Sequence, residues 1–264
     1  MYPILLRVGP FTIHTYGALV ALGFLAAITL ASSDAKRRGM DPQKIMDLGL
    51  YLIVAGIVGA RLLDIAIEYR FFAKNPLEMF MIWKGGLVFY GGFIAAVPTA
   101  IWYLKKNDLP VWKVGDVLAP CLALGHAIGR LGCFAAGCCY GCEAHLPWSV
   151  TFTDPDSLAI LGVPLHPTQI YEALGNFILF FGLWAYRKKT VFDGQLFWLY
   201  VMLYSVLRFL VEAFRGDSYR GHVSMDGLSL STSQSIGVVT FLVAAVMLSR
   251  LRTVSRRKAH TEGA

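Results

Sequence analysis

The side chains best placed to do chemistry lie in one apolar stretch. Tyr204, Arg208 and Glu212 stand at i, i+4 and i+8 between Leu, Phe and Val residues, and Arg215 follows three positions on. Helical spacing sets all four along one stripe. A second apolar segment, 117–128, is interrupted only by His126 and ends at Gly129-Arg130-Leu131-Gly132; a third carries Arg61. An arginine at a bilayer centre costs roughly 2.5–3.5 kcal/mol on insertion scales, so it calls for an anion or a wet cavity. Snorkelling to the head-group region would explain one arginine, and an Arg208–Glu212 pair stitching helices would explain two residues. Three such arginines against one glutamate leave surplus positive charge. A planar guanidinium fork suits phosphate, so the chemistry is binding or stabilising a phosphorylated group.

Other polar groups break apolar surroundings near the ends of the same segments. His14-Thr15-Tyr16-Gly17 opens one, Gly85-Gly86 to Tyr90-Gly91-Gly92 opens another, and His166-Pro167-Thr168-Gln169-Ile170-Tyr171-Glu172 opens a third. Each histidine alone reads as a cap or a satisfied core residue. Their recurrence beside the arginines points to a shared cavity.

Cys133, Cys138, Cys139 and Cys142 follow Arg130 closely, and Cys121 sits in the apolar segment before it. Their spacing matches no regular zinc pattern. Cys133 reads as a small buried hydrophobe and Cys121 as core. Cys138, Cys139 and Cys142 read as cap-stabilising, by a disulfide in an oxidising compartment, with a metal, redox or catalytic thiol as the alternatives.

The elements that must position these groups are membrane spans. The 264 residues are 56% hydrophobic and 16% charged, with a positive mean hydropathy. Seven apolar stretches are expected to span near 12–33, 45–68, 86–104, 112–133, 167–186, 194–214 and 233–250, in an all-α integral membrane protein forming one domain over 1–264. The first is too long for a cleaved signal and reads as a retained span. The net charge of +7 does not mark a nucleic-acid binder, because the basic residues cluster between apolar runs. Fifteen of the 24 lie in the loops after spans 1, 3 and 5 and in the tail, while 131–186 has no Lys or Arg. The positive-inside rule then puts the N-terminus outside and the C-terminus in the cytoplasm. On the outer side, 69–85, with Phe71, Phe72, Phe80 and Trp83, reads as an interfacial amphipathic piece. Segment 134–166 reads as an ordered cap, with a short strand at 150–153.

Taken together and in order, these motifs resemble the prolipoprotein diacylglyceryl transferase family of bacterial inner-membrane enzymes. The matching pieces are His14-Thr15-Tyr16-Gly17, Gly59-Ala60-Arg61, Gly85-Gly86 to Gly92, 114–120, Gly129-Arg130-Leu131-Gly132-x-Phe134, 166–172, the Tyr204–Arg215 stripe and Ser231-Thr232-Ser233-Gln234. The resemblance covers nearly the whole chain and implies seven spans with the N-terminus outside. It also implies a reaction: the diacylglyceryl group of phosphatidylglycerol moves to the lipobox cysteine of a preprolipoprotein, a thioether forms, and glycerol phosphate leaves. No metal or organic cofactor is required. Arg130 and Arg208 would stabilise the departing phosphate, and the attacking thiol must lose its proton. Arg130, Arg208, Tyr90, His126 and Glu212 are the implied catalytic set; His14, Tyr16, Arg61, His166, Gln169, Tyr204 and Arg215 are the implied substrate contacts.

The chain departs from the family pattern at three positions. Cys133 replaces an asparagine, Cys138 a glutamate, and Tyr90 the histidine favoured as base. An unperturbed phenol titrates near 10, so Tyr90 is a poor base at neutral pH, and His126, His14, His166 and Glu212 are the replacements. A paralogue acting on a different lipid or thiol is one alternative. A small anion or lipid transporter, built from the same intramembrane arginines and glycine-broken helices, is another.

Overall fold

In the computed structural model the chain is described over residues 2–8, 11–82, 85–216, 222–225 and 228–262. Trp83, one of the aromatic residues expected at the interface, lies outside the described residues. Each expected span is helical: α1 (Thr15–Arg37), α2 (Pro42–Ile67), α4 (Phe89–Lys106), α5 (Val111–Ala136), α6 (Thr168–Tyr186), α7 (Gln195–Glu212) and α8 (Thr232–Glu262). The short helix α3 (Tyr69–Lys74) and a 3-10 turn over Pro76–Phe80 fill the stretch after α2.

Five of these helices are long and apolar enough to cross a membrane: α1, α2, α5, α7 and α8 over Thr232–Arg256. The two that fall short do so for identifiable reasons. Lys105 and Lys106 occupy the last turn of α4. Helix α6 carries Gln169, Glu172 and Asn176, all at most 1% exposed, so its polarity is turned inward. Leu25, Val54, Leu62, Ile178, Phe181, Val239 and Leu242, by contrast, are each more than half exposed. An apolar surface of that extent belongs to a multi-pass membrane protein, whose solvent is lipid.

The all-α expectation needs one correction. Three short antiparallel hairpins join the helices: β1 (Ile4–Val8) with β2 (Phe11–His14), β3 (Val150–Thr151) with β4 (Pro164–Leu165), and β5 (His222–Met225) with β6 (Leu228–Ser231). The first span accordingly begins at Thr15, because residues 11–14 pair as a strand.

The chain divides into two compact units, Ala31–Val114 and the remainder, Met1–Leu30 with Gly115–Ala264. In the first, Asp41 caps α2 by accepting a 2.9 Å hydrogen bond from the Gln43 amide, with Pro42 at the first helical position. Helices α2 and α4 cross at Gly59 and Gly91. A Cβ on Gly59 would lie 2.4 Å from the Ala95 Cβ, and one on Gly91 would lie 2.3 Å from the Gly59 carbonyl oxygen. Only glycine permits that backbone approach.

In the second unit, Ala119 and Ala123 of α5 pack with Phe180 and Leu183 of α6 and Leu196 and Tyr200 of α7. Asp116, fully buried, accepts hydrogen bonds from the amides of Gly194 at 2.9 Å and Phe197 at 3.0 Å. It thereby caps α7 from α5, placing a negative charge at the positive end of the α7 dipole. The cap has its own small core of Phe152, Ala159 and Leu165. The strand expected at 150–153 is present as β3, extended by a Phe152–Leu161 bridge.

Candidate active site

The site assembles where α5, α6 and α7 converge. Glu172, one turn into α6 and 1% exposed, is its centre. The carboxylate oxygen Oε1 lies 3.0 Å from Arg130 Nη2, accepts from the Tyr204 hydroxyl at 3.1 Å, and stands 3.5 Å from His126 Nε2. Arg130 also donates from Nε to His126 Nε2 at 3.1 Å. That nitrogen therefore accepts, which makes the imidazole neutral with its proton on Nδ1. Its lone pair is occupied by the bond from Arg130. The Tyr204 ring packs 5.1 Å from His126 and stacks on Tyr200.

One helical turn on, Arg208 Nη2 pairs with Glu212 Oε2 at 2.7 Å, while Glu212 Oε1 accepts from the Ser231 hydroxyl at 3.1 Å. The buried Arg208 Nη1 has no acceptor among the described residues, and neither Glu172 Oε2 nor Gln169 Oε1 has a donor. Buried polar atoms left in this state cost about 1–3 kcal/mol each, so they are kept for a partner.

The charge count differs from the one the sequence suggested. Each of the two arginines has its own glutamate, Arg130 with Glu172 and Arg208 with Glu212. Arg215 is bonded to the Cys139 thiol instead. Arg215 is not on the helical stripe, because α7 ends at Glu212. It lies in the turn beyond, bridged antiparallel to Gly141.

The segment after α5 closes the outer end of this group. Gly137 turns the chain at φ +78°, where a Cβ would strike the Ser157 hydroxyl. The Cys138 carbonyl then accepts from Gln169 Nε2, and the Cys139 carbonyl from the Thr168 hydroxyl, each at 2.8 Å. Further bonds run from the Gly141 amide to the His166 carbonyl and from the Cys142 amide to the Phe214 carbonyl, both 2.9 Å. Tyr171 accepts from Trp148 Nε1 at 2.8 Å, and its hydroxyl shares a hydrogen bond with His166 Nδ1 at 3.0 Å. His166 is thereby a braced strut between cap and helix.

No disulfide forms: all five cysteines are free, which removes the cross-link expected in the cap. The thiols of Cys133, Cys138 and Cys139 instead converge, all within 4.8 Å of one another. Hydrogen bonds from Cys133 and Cys138 hold the Cys139 thiol well below the usual thiol range, with Arg215 adding to the effect against burial. Cys138 is pushed up by its hydrogen bonds to Cys133 and Cys139 and by burial.

Of the remaining expected site residues, Tyr16 lies on α1 with its ring against Gly132, and His14 is exposed at the end of β2. Arg61 and Tyr90 belong to the Ala31–Val114 unit. Arg61 is 7% exposed and spends its donors on Asp64 and on the carbonyls of Met79, Glu78, Gly85 and Gly86, with the Phe72 ring beneath it. That is a clamp on its own loop, and it explains a buried arginine without a ligand. Tyr90 is 56% exposed, with the Phe89 ring as an aromatic neighbour.

Sequence comparison agrees with the arrangement. The family model described as prolipoprotein diacylglyceryl transferase matches residues 3–250. A phosphatidylglycerol–prolipoprotein diacylglyceryl transferase of Clostridium tetani is 40% identical over 243 residues, covering 92% of this chain and 95% of the relative. Proteins of the same name from Bacillus cereus strain G9842 and Halalkalibacterium halodurans are 34% and 35% identical, over 92% and 93% of this chain and 90% and 84% of theirs. The chain belongs to the prolipoprotein diacylglyceryl transferase family.

Proposed function

We propose that this protein transfers the diacylglyceryl group of phosphatidylglycerol to the lipobox cysteine of preprolipoproteins, releasing glycerol phosphate. The observation that carries this reading is the buried Nη1 of Arg208, which has no acceptor among the described residues. A phosphodiester oxygen supplies the missing acceptor. Similarity to proteins named for this reaction gives the substrate its identity.

The thiol sulfur attacks the glycerol carbon bearing the phosphate; a carbon–sulfur bond forms and the carbon–oxygen bond to phosphate breaks. Arg208 and Arg130 hold the phosphate, and the charge that develops on its departing oxygen is met by guanidinium groups already in place. Glu172 and Tyr204 hold Arg130 in position. The thiol proton goes to Glu172 Oε2, a buried oxygen with no described donor. Gln169 Oε1 is the acceptor for a head-group glycerol hydroxyl. Tyr16, His166 and Arg215 border the group; Tyr90, His14 and Arg61 are assigned no step.

The chain crosses the bacterial inner membrane seven times, its N-terminus and the 134–166 cap outside and its C-terminus in the cytoplasm. The distribution of Lys and Arg supports this orientation. Transfer then takes place at the outer side, where preprolipoproteins emerge. The purified protein, given phosphatidylglycerol and a lipobox peptide, should release glycerol phosphate and raise the peptide mass by one diacylglyceryl group. Lipid that moves between leaflets with no covalent product would instead establish a transporter.

A further inference from the structure

The three converging thiols have no place in the transfer reaction. Cys133 comes from the last turn of α5, whereas Cys138 and Cys139 follow the reversal at Gly137. Cys139 takes φ +63°, a left-handed conformation costly for a residue with a Cβ. The flanking backbone holds it there: the Cys138 amide donates to the Cys133 carbonyl at 3.1 Å, and both following carbonyls are held from α6. Two segments of chain are thus fixed so that three sulfurs face one point.

We infer that Cys133, Cys138 and Cys139 form a binding site for a soft, thiophilic cation of the zinc or monovalent-copper class. The geometry is close to what such an ion needs. Three sulfurs in a plane around an ion at about 2.3 Å stand about 4.0 Å apart, and these three are already within 4.8 Å. Among the described residues no carboxylate or imidazole joins the group, and sulfur ligands select against calcium, magnesium and manganese. Three thiolates around a divalent ion carry one net negative charge, and the Arg215 guanidinium, hydrogen-bonded to Cys139, stands beside them to offset it. Binding sends thiol protons to solvent and exchanges no electron. The ion ties the end of α5, three residues past Arg130, to the loop anchored on α6. It is a brace for the arginine, independent of which lipid the protein uses.

The test uses the full chain, reduced and purified anaerobically in detergent. One equivalent of Zn2+ should protect Cys133, Cys138 and Cys139 of the wild-type protein from alkylation, read by site-resolved mass spectrometry, and leave Cys142 reactive. Cd2+ in place of Zn2+ should give the ultraviolet sulfur-to-metal absorption at one ion per chain. Replacing any of the three by Ser should weaken Zn2+ binding about tenfold or more, while Cys142→Ser and Cys121→Ser leave it unchanged. Unaltered alkylation of the wild-type thiols at one equivalent of Zn2+ overturns the site without recourse to a variant. So does a Cys138–Cys139 or Cys133–Cys138 disulfide in the anaerobic preparation, which would mark a redox pair.

Discussion

Arg130 of α5 and Glu172 of α6 meet at 3.0 Å with Glu172 almost wholly buried. This pair, more than any single arginine, defines the site: it fixes the Arg130 guanidinium and leaves a second carboxylate oxygen with no donor among the described residues. Removing one partner strands the other's charge in a dry setting. Glu172→Ala should therefore lower stability by about 3–5 kcal/mol, and Arg130→Met with Glu172→Met together should recover most of it. Thermal melts of the two variants in detergent check this; equal losses in the single and double variants would dissolve the pair.

Glu172→Gln keeps the side chain's shape and its bond from Tyr204 but removes the acceptor assigned to the thiol proton. Transfer should fall about a hundredfold or more, while binding of phosphatidylglycerol changes little. Single-turnover transfer to a lipobox peptide makes the distinction, and full activity in Glu172→Gln would move the base elsewhere.

Cys139 should react as a thiolate at pH values where ordinary thiols are protonated. An ordinary thiol loses about tenfold in alkylation rate per pH unit below its pKa near 8.5. The Cys139 thiol, lowered by its bonds from Cys133 and Cys138, should show a rate nearly flat from about pH 8 to 6 when metal is chelated. Cys133→Ala with Cys138→Ala should restore the ordinary slope. Site-resolved labelling reads both.

Asp116→Ala should destabilise the protein by at least about 1–2 kcal/mol without touching the site, since it removes the cap from α7. A lowered melting temperature with transfer per folded molecule unchanged is the expected pair of results.

Glu143 is expected outside and Lys188 inside. Cysteine placed at each position, in a background without accessible native thiols, should be labelled by an impermeant reagent in intact cells at 143 and not at 188. The reverse pattern would invert the topology.

The helices were legible because their apolar runs are long, and the Tyr204–Arg208–Glu212 stripe because helical spacing is regular. Glu172 stands in the 166–172 motif, but nothing local shows that residue 172 reaches residues 130 and 204. For the same reason the charge count erred, and nothing local shows that Arg61 bonds Asp64 and the carbonyls of its own loop. The thiol cluster escaped because its spacing fits no regular metal pattern; it depends on the left-handed turns at Gly137 and Cys139. The hairpin at residues 4–14 was missed because its second strand runs without a break into an apolar helix.

The central claim is that Arg208 and Arg130 handle the lipid phosphate, and the most direct measurement is glycerol phosphate release by Arg208→Lys and Arg130→Lys at saturating phosphatidylglycerol. Lysine keeps the charge but loses the fork that lets Arg208 hold Glu212 with one nitrogen and the phosphate with the other. Release should fall about tenfold or more in each folded variant, the loss of about 1.4 kcal/mol of transition-state stabilisation. Wild-type release from both would contradict it.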